Sequence, residues 1–239
     1  MKVLIDGRGR KYFTKGTELH TDKGVVDLKG IKHGDIVESH LGHKFHVVDP
    51  RIIDLYEKMP RAGSFMLKKD IGLILAYTGL GDGDTVIDAG TGSAGLAIFL
   101  GNIVKPNGRV YTYEENEEAA KIAKRNIEDA GLGEYVKVRV KDISEGIDEE
   151  ADVITLDMEE AWEAVLYAKD ALRTGGFMAV YNPYIEHAAR VFSALKKADF
   201  KEIKTIECME REMEFRKQGT RPKTRMVGHT GYLTFARKL

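Results

Sequence analysis

The sequence predicts an α/β protein with a mostly parallel, seven-stranded sheet flanked by helices and a small β-rich domain before it. Short alternating apolar runs separated by glycine turns fill the first 62 residues and indicate the small domain. Farther along, apolar strand-like runs alternate with helical segments, which is the pattern of right-handed βαβ units. The last two strand-like runs have no helix between them, so we expect antiparallel strands at one edge of the sheet.

The small domain is predicted to cover residues 1–62 and to form a barrel or a sandwich. Its candidate strands are short and alternating, and they lie at 3–5, 11–13, 24–28 and 45–48. A helix is expected over 51–58, because Asp49-Pro50 can begin one and Pro60 helps to end it.

The larger domain is predicted to cover residues 63–239. Its strand candidates lie at 85–87, 110–113, 136–140, 153–156 and 177–181, and its helix candidates at 96–104, 117–130, 160–172 and 185–198. The two final strands are expected at 202–207 and 231–236. Open parallel sheets bind ligands at the C-terminal ends of their strands, so the residues that follow each strand are candidate site residues.

The formal net charge of −1 is an average over three unlike regions. Residues 1–62 carry 12 basic and 9 acidic groups, residues 63–214 carry 18 and 29, and residues 215–239 carry 7 and none. A cationic segment can bind a polyanion locally even in a neutral protein, because charges are screened within about 8–10 Å. Arg221, Lys223 and Arg225 in this segment are therefore candidate nucleic-acid contacts.

Several features favour a soluble cytoplasmic protein. Cys208 is the single cysteine, which excludes a disulfide framework and a cysteine-based zinc site. Charged residues interrupt the N-terminal segment too early for a signal peptide, and no apolar run approaches the ~20 residues of a membrane span. His40, His43 and His46 are spaced by three on a β-rich segment and do not share one face, so no metal site is expected.

A glycine-rich loop follows the first strand of the larger domain, in the stretch 88–95. Gly90 and Gly92 let the backbone turn tightly and approach a ligand without a Cβ in the way. The next helix presents free N–H groups and its positive dipole end to the same place. Taken literally, residues 90–95 read G-x-G-x-x-G, the dinucleotide fingerprint, which alone is a weak signal.

Acidic residues end four consecutive strands and favour S-adenosyl-L-methionine over a dinucleotide. Asp88 can face the cationic amino end of a methionine group, whereas it would repel a pyrophosphate. Glu114 can accept both ribose hydroxyls, and Asp142 and Asp157 follow the third and fourth strands. Each acid alone could instead cap the next helix, but four in sequence resemble the class I methyltransferase fold. That resemblance implies that Asp142 binds the adenine amino group and that Asp157 lies beside the transferring methyl group.

The cofactor-binding residues predicted in this way are Asp88, Gly90, Gly92, Ser93, Glu114, Asp142 and Asp157.

Nearly the whole chain resembles the archaeal tRNA (adenine-N1)-methyltransferases, which modify adenines in the T-loop. The matching stretches lie at 19–24, 39–45, 50–54, 69–70, 172–177, 221–225 and 228–237. The resemblance implies a SAM-dependent transferase with Asp157 as its catalytic residue, near the exocyclic amine of the target base. It also implies a tRNA partner bound through the small domain and the cationic tail, no DNA or membrane partner, and a homo-oligomer, a tetramer in homologous enzymes.

Two departures from the family pattern keep alternatives open. Asp157 is followed by Met158-Glu159-Glu160, where the family usually has a small apolar residue and a Pro-x-Pro turn, and Leu67 stands where it has a ring. A related methyltransferase acting on another RNA base or a small molecule is therefore an alternative. A non-catalytic member that binds SAM and RNA is another, and an NAD-dependent oxidoreductase is a remote one.

Overall fold

The computed structural model describes every residue from Met1 to Leu239, and the chain divides into two units between Met59 and Pro60. The sequence predicts this boundary after residue 62, whereas the first unit ends just after its helix. The unit Met1–Met59 contains a four-stranded antiparallel sheet, a separate hairpin and one helix.

The elements of the first unit are β1 Lys2–Asp6, β2 Lys11–Thr14, β3 Glu18–Thr21, β4 Gly24–Asp27, β5 Ile36–Glu38, β6 Lys44–Val48 and α1 Ile52–Lys58. The sheet order is β2-β1-β6-β5, and β3 pairs with β4. Buried apolar side chains such as Leu4, Val26 and Phe45 form its core. The strands β3 and β5 are absent from the sequence prediction, since neither alternates strongly in hydrophobicity.

The elements of the unit Pro60–Leu239 are α2 Lys68–Thr78, β7 Thr85–Ala89, α3 Gly95–Val104, β8 Arg109–Tyr113, α4 Glu117–Asp129, β9 Val136–Arg139, β10 Ala151–Leu156, α5 Ala161–Ala171, β11 Leu172–Asn182, α6 Ile185–Lys197, β12 Lys201–Glu207, β13 Met213–Arg216, β14 Gly219–Pro222 and β15 Tyr232–Arg237. A 3-10 turn covers Ile143–Glu145. No helix combines the length and apolar composition that crossing a membrane requires.

The large sheet confirms the predicted α/β fold. Its order is β12-β15-β11-β10-β7-β8-β9. The five strands from β11 to β9 are parallel, whereas β15 lies antiparallel between β11 and β12. The C-terminal ends of β7, β8, β9 and β10 therefore lie along one edge, and the start of β15 joins them beside the end of β11.

Two parts of the larger unit are missing from the sequence prediction. The helix α2 lies in a stretch that contains Gly72, and its buried face includes Asp70 beside Ile71 and Ile74, so its apolar periodicity is weak. The hairpin β13–β14 is short, and its residues are mostly polar and exposed. Neither element has a pattern that distinguishes it from a loop in the sequence alone.

Candidate functional site

Two adjoining hollows lie at the C-terminal ends of the parallel strands. The first, of about 270 Å³, is lined by five acids and Lys141 among other residues, and we call it the acidic hollow; its acids are Glu114, Glu115, Asp142, Asp157 and Glu159. The second, of about 280 Å³, is lined by Ser64, Phe65, Met66 and Tyr181, and we call it the aromatic hollow. Gly90, Glu114 and Asp157 line both hollows.

The glycine loop lies directly against the end of β10. Gly90 has a φ of 89°, and a Cβ built on it would lie 1.9 Å from the backbone oxygen of Asp157. The backbone N–H of Asp157 donates to the oxygen of Ala89 at 2.8 Å. Only glycine fits at position 90, because a side chain there would be strained in φ and would displace the backbone of Asp157.

Glu114 ties the loop to the end of β8. Its Oε2 accepts from the backbone N–H of Gly92 at 2.8 Å, and its Oε1 accepts from the N–H of Asn116 at 3.0 Å. A carboxylate has more acceptor positions than these two bonds occupy. Glu114 is therefore fixed in direction by the backbone and can still accept hydrogen bonds from a ligand in either hollow.

Asp142 both caps a turn and lines the acidic hollow. Its Oδ1 accepts from the backbone N–H of Ser144 at 2.6 Å at the start of the 3-10 turn. Hydrogen bonds from Ser144 lower the pKa of the Asp142 carboxyl, so the group is ionised at neutral pH. The capping alternative and the ligand-binding prediction thus apply to the same side chain, which caps the turn and also lines the acidic hollow.

Asp88 lies within the sheet beneath the loop and does not line either hollow. It is 1% exposed, and its two oxygens accept from the hydroxyls of Thr112 and Thr155, both at 2.6 Å. Burial raises the pKa of this carboxyl. Asp88 links β7 to its two neighbouring strands. Both of its oxygens are already hydrogen-bonded and it lines neither hollow, so this structure gives no support for its predicted contact with the cofactor.

Ser93 is also turned away from the hollows. It is 2% exposed, its hydroxyl oxygen accepts from the backbone N–H of Ala62, and its carbonyl accepts from Nδ2 of Asn126 at 2.9 Å. The side chain therefore holds the segment that leads to Ser64 and Phe65. The predicted cofactor residues that do meet at the hollows are Gly90, Gly92, Glu114, Asp142 and Asp157.

Asp157 lines both hollows, as Glu114 does, but unlike Glu114 its carboxylate has no hydrogen-bond donor. Burial, with a smaller contribution from the charge of Asp88, raises its pKa from 3.8 to about 7. An uncompensated carboxylate at the junction of two hollows would attract a cationic group bound beside it.

Sequence reasoning missed the aromatic hollow. Tyr181 lies near the end of β11, and its hydroxyl donates to the backbone oxygen of Thr230 at 2.6 Å. The strand-end rule that found the acids also applies to Tyr181, but an aromatic residue at that place carries no distinctive signal. Phe65 and Met66 lie before α2, far from Tyr181 in the chain, so only the fold brings them together.

The predicted RNA contacts lie in and after the hairpin β13–β14, and most of them are paired with acids. Arg221 lies 3.7 Å from Glu214, and Lys223 lies 2.6 Å from Glu212. Arg225 has no ion pair in the structure. The cationic stretch 215–239 therefore folds against acids that precede it in the chain, and its surface charge is smaller than the seven basic groups suggest.

The acidic hollow fits a cationic, hydroxyl-bearing ligand better than a phosphate-bearing one. Its carboxylates would repel a pyrophosphate, and no arginine lines it, while Lys141 is its single cation. The donor set therefore fits S-adenosylmethionine, which has two cationic centres and a ribose, and disfavours a dinucleotide.

Comparisons with known proteins agree with this geometry. Residues 55–221 match the family described as "tRNA methyltransferase complex GCD14 subunit". The chain is 39% identical to tRNA (adenine(57)-N(1)/adenine(58)-N(1))-methyltransferase TrmI of Methanocaldococcus jannaschii, over 99% of this chain and 94% of that protein. It is 30% identical to tRNA (adenine(58)-N(1))-methyltransferase TrmI of Thermus thermophilus, over 99% and 96%.

Two solved structures are similar over the whole chain. A SAM-dependent O-methyltransferase from Thermotoga maritima has a TM-score of 0.88 and 31% identity, covering 100% of this chain and 92% of that one. The tRNA (m1A58) methyltransferase TrmI from Aquifex aeolicus has a TM-score of 0.80 and 24% identity, covering 100% and 96%. The second similarity shows a shared fold.

Proposed function

The chain belongs to the family of tRNA (adenine-N1)-methyltransferases, and from this premise we propose that it transfers a methyl group from S-adenosylmethionine to N1 of an adenine in the T-loop of tRNA. The observation that carries the proposal is Asp157, which lines both the acidic and the aromatic hollow. A transfer reaction needs one place where donor and acceptor meet, and Asp157 marks it.

The acidic hollow is the proposed cofactor site. Glu114 would accept the ribose hydroxyls, Asp142 would accept the adenine amino group, and the backbone at Gly90 would allow close approach. When bound, S-adenosylmethionine supplies a methyl group on a sulfonium centre. Glu114 and Asp142 would fix the orientation of that group, because backbone N–H groups hold both carboxylates in place.

The aromatic hollow is the proposed base site. Phe65, Met66 and Tyr181 offer apolar and aromatic surface to a planar base. The N1 edge of adenine is paired or stacked in a folded RNA, so the target nucleotide must leave its stack to enter the hollow. Unstacking of this kind suits a loop nucleotide better than one in a helix.

Methyl transfer to adenine N1 depends on the alignment of the two reactants and needs no general base to remove a proton. Adenine N1 carries a free lone pair in the neutral base, so no proton has to be removed before attack on the methyl group. Holding N1 in line with the methyl group is catalysis by positioning. The ring becomes cationic as N1 is alkylated, and the Asp157 carboxylate would stabilise that charge.

The tRNA body is proposed to bind through Arg221, Lys223 and Arg225 and through the unit Met1–Met59. Contacts of cations with phosphates fix position without reading sequence. We also propose a homo-oligomer, a tetramer as the family resemblance implies, located in the cytoplasm. Gel filtration with light scattering tests the oligomer, and a monomer at micromolar concentration would contradict it.

Nucleoside analysis tests the proposed function. Unmodified tRNA is incubated with the protein and S-adenosylmethionine that carries a labelled methyl group, then digested and analysed by mass spectrometry. The label is expected in 1-methyladenosine. Label in another nucleoside would contradict the proposal, and calorimetry with S-adenosylhomocysteine against NAD separates a methyltransferase from an oxidoreductase.

Methylation of another acceptor is a second candidate. The similarity to the Thermotoga maritima protein, titled an O-methyltransferase, favours it, together with Leu67 and Glu159 where the family usually has a ring and a proline. Transfer to oxygen would require a proton acceptor, and the raised pKa of Asp157 suits that role. A 2′-O-methylated nucleoside, or a labelled small molecule with unlabelled tRNA, would support this alternative.

A further inference from the structure

A buried polar cluster lies behind the aromatic hollow and joins two distant parts of the chain. Nζ of Lys69 donates to Oδ1 of Asp70 and to Oγ1 of Thr230, both at 2.7 Å. The hydroxyl of Thr230 donates to Oδ2 of Asp70 at 3.1 Å. The side chains of Lys69 and Asp70 are 7% and 1% exposed, so this ion pair is shielded from water. The Thr230 hydroxyl forms a hydrogen bond with each of the two charged groups.

The backbone of the same threonine holds Tyr181. The Tyr181 hydroxyl donates to the carbonyl oxygen of Thr230 at 2.6 Å, so the cluster fixes the far end of the ring that lines the aromatic hollow. Burial, followed by the charges of Asp70 and Asp157, raises the pKa of Tyr181 to about 12. Tyr181 therefore remains a hydrogen-bond donor, and its hydroxyl is within electrostatic reach of both Asp70 and Asp157.

Gly231 packs directly against the ring of Tyr181. A Cβ built on Gly231 would lie 2.5 Å from Cζ of Tyr181 and 2.7 Å from its Cε2 and hydroxyl oxygen. No real contact is that short, so any side chain at position 231 would push the ring away. Gly228, three residues earlier in the same segment, has nothing within 4 Å of such a Cβ.

The neighbouring residue anchors this segment on both sides. The ring nitrogens of His229 lie 2.7 Å from Oε1 of Glu207 and 2.7 Å from the backbone oxygen of Pro183. The segment that carries Thr230 and Gly231 is thereby fixed to β12 and to the end of β11. A rigid support of this kind is what a precisely placed wall of a pocket requires.

We propose that Gly231, Thr230 and the Lys69–Asp70 pair are positioning residues that hold the Tyr181 ring at the distance from Asp157 that the target base needs. The cluster touches neither hollow and acts only through Tyr181. The inference rests on the proposed function for the identity of the ligand, but the placement of the ring is testable without it.

The glycine pair gives a matched experiment. Gly231→Ala is expected to lower kcat/KM for tRNA methylation by about 10- to 100-fold, because a displacement of ~1 Å at a reacting site costs up to ~100-fold. Gly228→Ala is expected to stay within about twofold of the parent. The dissociation constant of S-adenosylhomocysteine, measured by calorimetry, should change by less than about twofold in both variants, since the acidic hollow is intact.

A double-mutant cycle separates positioning from a general structural effect. If Gly231 acts through the ring, Gly231→Ala should cost less than about twofold in a Tyr181→Ala background. An equal loss in both backgrounds, or no loss in the parent, overturns the proposal. Thr230→Val should lower activity, whereas Thr230→Ser, which keeps the hydroxyl, should retain it. Thr205→Val, which removes a partly buried hydroxyl pair elsewhere in the sheet, is the control.

The ring can also be observed directly. In protein labelled with 3-fluorotyrosine, the ¹⁹F resonance of Tyr181, assigned with Tyr181→Phe, should shift or broaden in Gly231→Ala and remain in place in Gly228→Ala. An unchanged resonance in Gly231→Ala refutes the positioning role. If the parent protein methylates no tRNA, the proposed function fails, whereas this measurement still decides the placement of the ring.

Discussion

The two hollows that meet at Asp157 are built in different ways. The acids of the acidic hollow follow the ends of three strands, β8, β9 and β10, and nearby backbone N–H groups hold Glu114 and Asp142 in place. The aromatic hollow combines a segment before α2 with Tyr181 near the end of β11, and a buried cluster from two further segments supports it. The position of each acid follows from the end of the strand that precedes it, whereas the aromatic hollow forms only when segments far apart in the chain come together.

Replacing Asp157, which lines both hollows without a hydrogen-bond donor of its own, should have the largest effect. Asp157→Ala is expected to lower single-turnover methyl transfer by roughly 1,000-fold, because removing one preorganised electrostatic group costs up to ~10³ in rate. Binding of S-adenosylhomocysteine should change by less than about threefold, since Glu114 and Asp142 remain. Rapid-quench kinetics and calorimetry measure the two quantities, and a large loss of affinity would move Asp157 from catalysis to cofactor binding.

Replacing Glu114, which lines both hollows and is held by backbone N–H groups, should weaken cofactor binding. Glu114→Gln is expected to weaken S-adenosylhomocysteine binding by about 10- to 100-fold, because hydrogen bonds to a charged group are worth ~1.5–3 kcal/mol. Glu118→Gln, at an exposed ion pair on α4, is the matched control and should leave calorimetric affinity unchanged. Equal losses in both variants would refute the specific role of Glu114.

The stability of the ligand-free protein should depend on pH through Asp157. The unfolded chain ionises this carboxyl near pH 3.8 and the folded chain near 7, so the folded state loses stability as pH rises between these values. Asp157→Asn should therefore raise Tm by several degrees at pH 8, since one pKa unit is about 1.36 kcal/mol and 1 kcal/mol is about 2–4 °C here. At pH 4 the two proteins should melt together.

Asp142 is the control, because its effect on the pH dependence of stability has the opposite sign. Its pKa is lowered by Ser144, so its ionised form stabilises the fold above the ordinary value, and that contribution is lost on acidification. Asp142→Asn should lower Tm at pH 8. If both substitutions shift Tm in the same direction in differential scanning calorimetry, the opposite pKa shifts assigned to Asp157 and Asp142 are wrong.

The smallest effects are expected in the cationic hairpin region. Arg225→Gln should reduce the slope of log affinity for tRNA against log salt by about 0.7–1, the value for one phosphate contact. Arg221→Gln and Lys223→Gln should each reduce it by less, because Glu214 and Glu212 already compete for these cations. Filter binding from low to moderate salt measures the slopes. Equal slopes for the three variants would contradict the idea that Glu214 and Glu212 weaken the phosphate contacts of Arg221 and Lys223.

The sequence predicts the sheet and the acidic hollow well because both follow from local pattern. The alternation of apolar strands and helices defines the fold, and Glu114, Asp142 and Asp157 fall at strand ends as expected. Asp88 is different because β7 continues to Ala89, so this acid lies inside the strand, in register with Thr112 and Thr155, and its carboxylate is taken up by their hydroxyls. The direction of the last side chain in a strand depends on where pairing stops, which the sequence does not state.

The charge of the tail and the aromatic hollow show what local pattern misses. Glu214 faces Arg221 across the hairpin β13–β14, a register that only the folded strands reveal. Lys69 and Thr230 are far apart in the chain yet share a hydrogen bond, and no periodicity relates them.

Mapping the methylated position tests the central claim most directly. A methyl group on adenine N1 blocks Watson–Crick pairing and stops reverse transcription one nucleotide before the modified base. With an unmodified tRNA transcript, S-adenosylmethionine and the parent protein, we predict a stop at a T-loop adenine that is absent with Asp157→Ala. Methyl transfer to the same tRNA without any stop at an adenine, or a stop that survives in Asp157→Ala, would contradict the account.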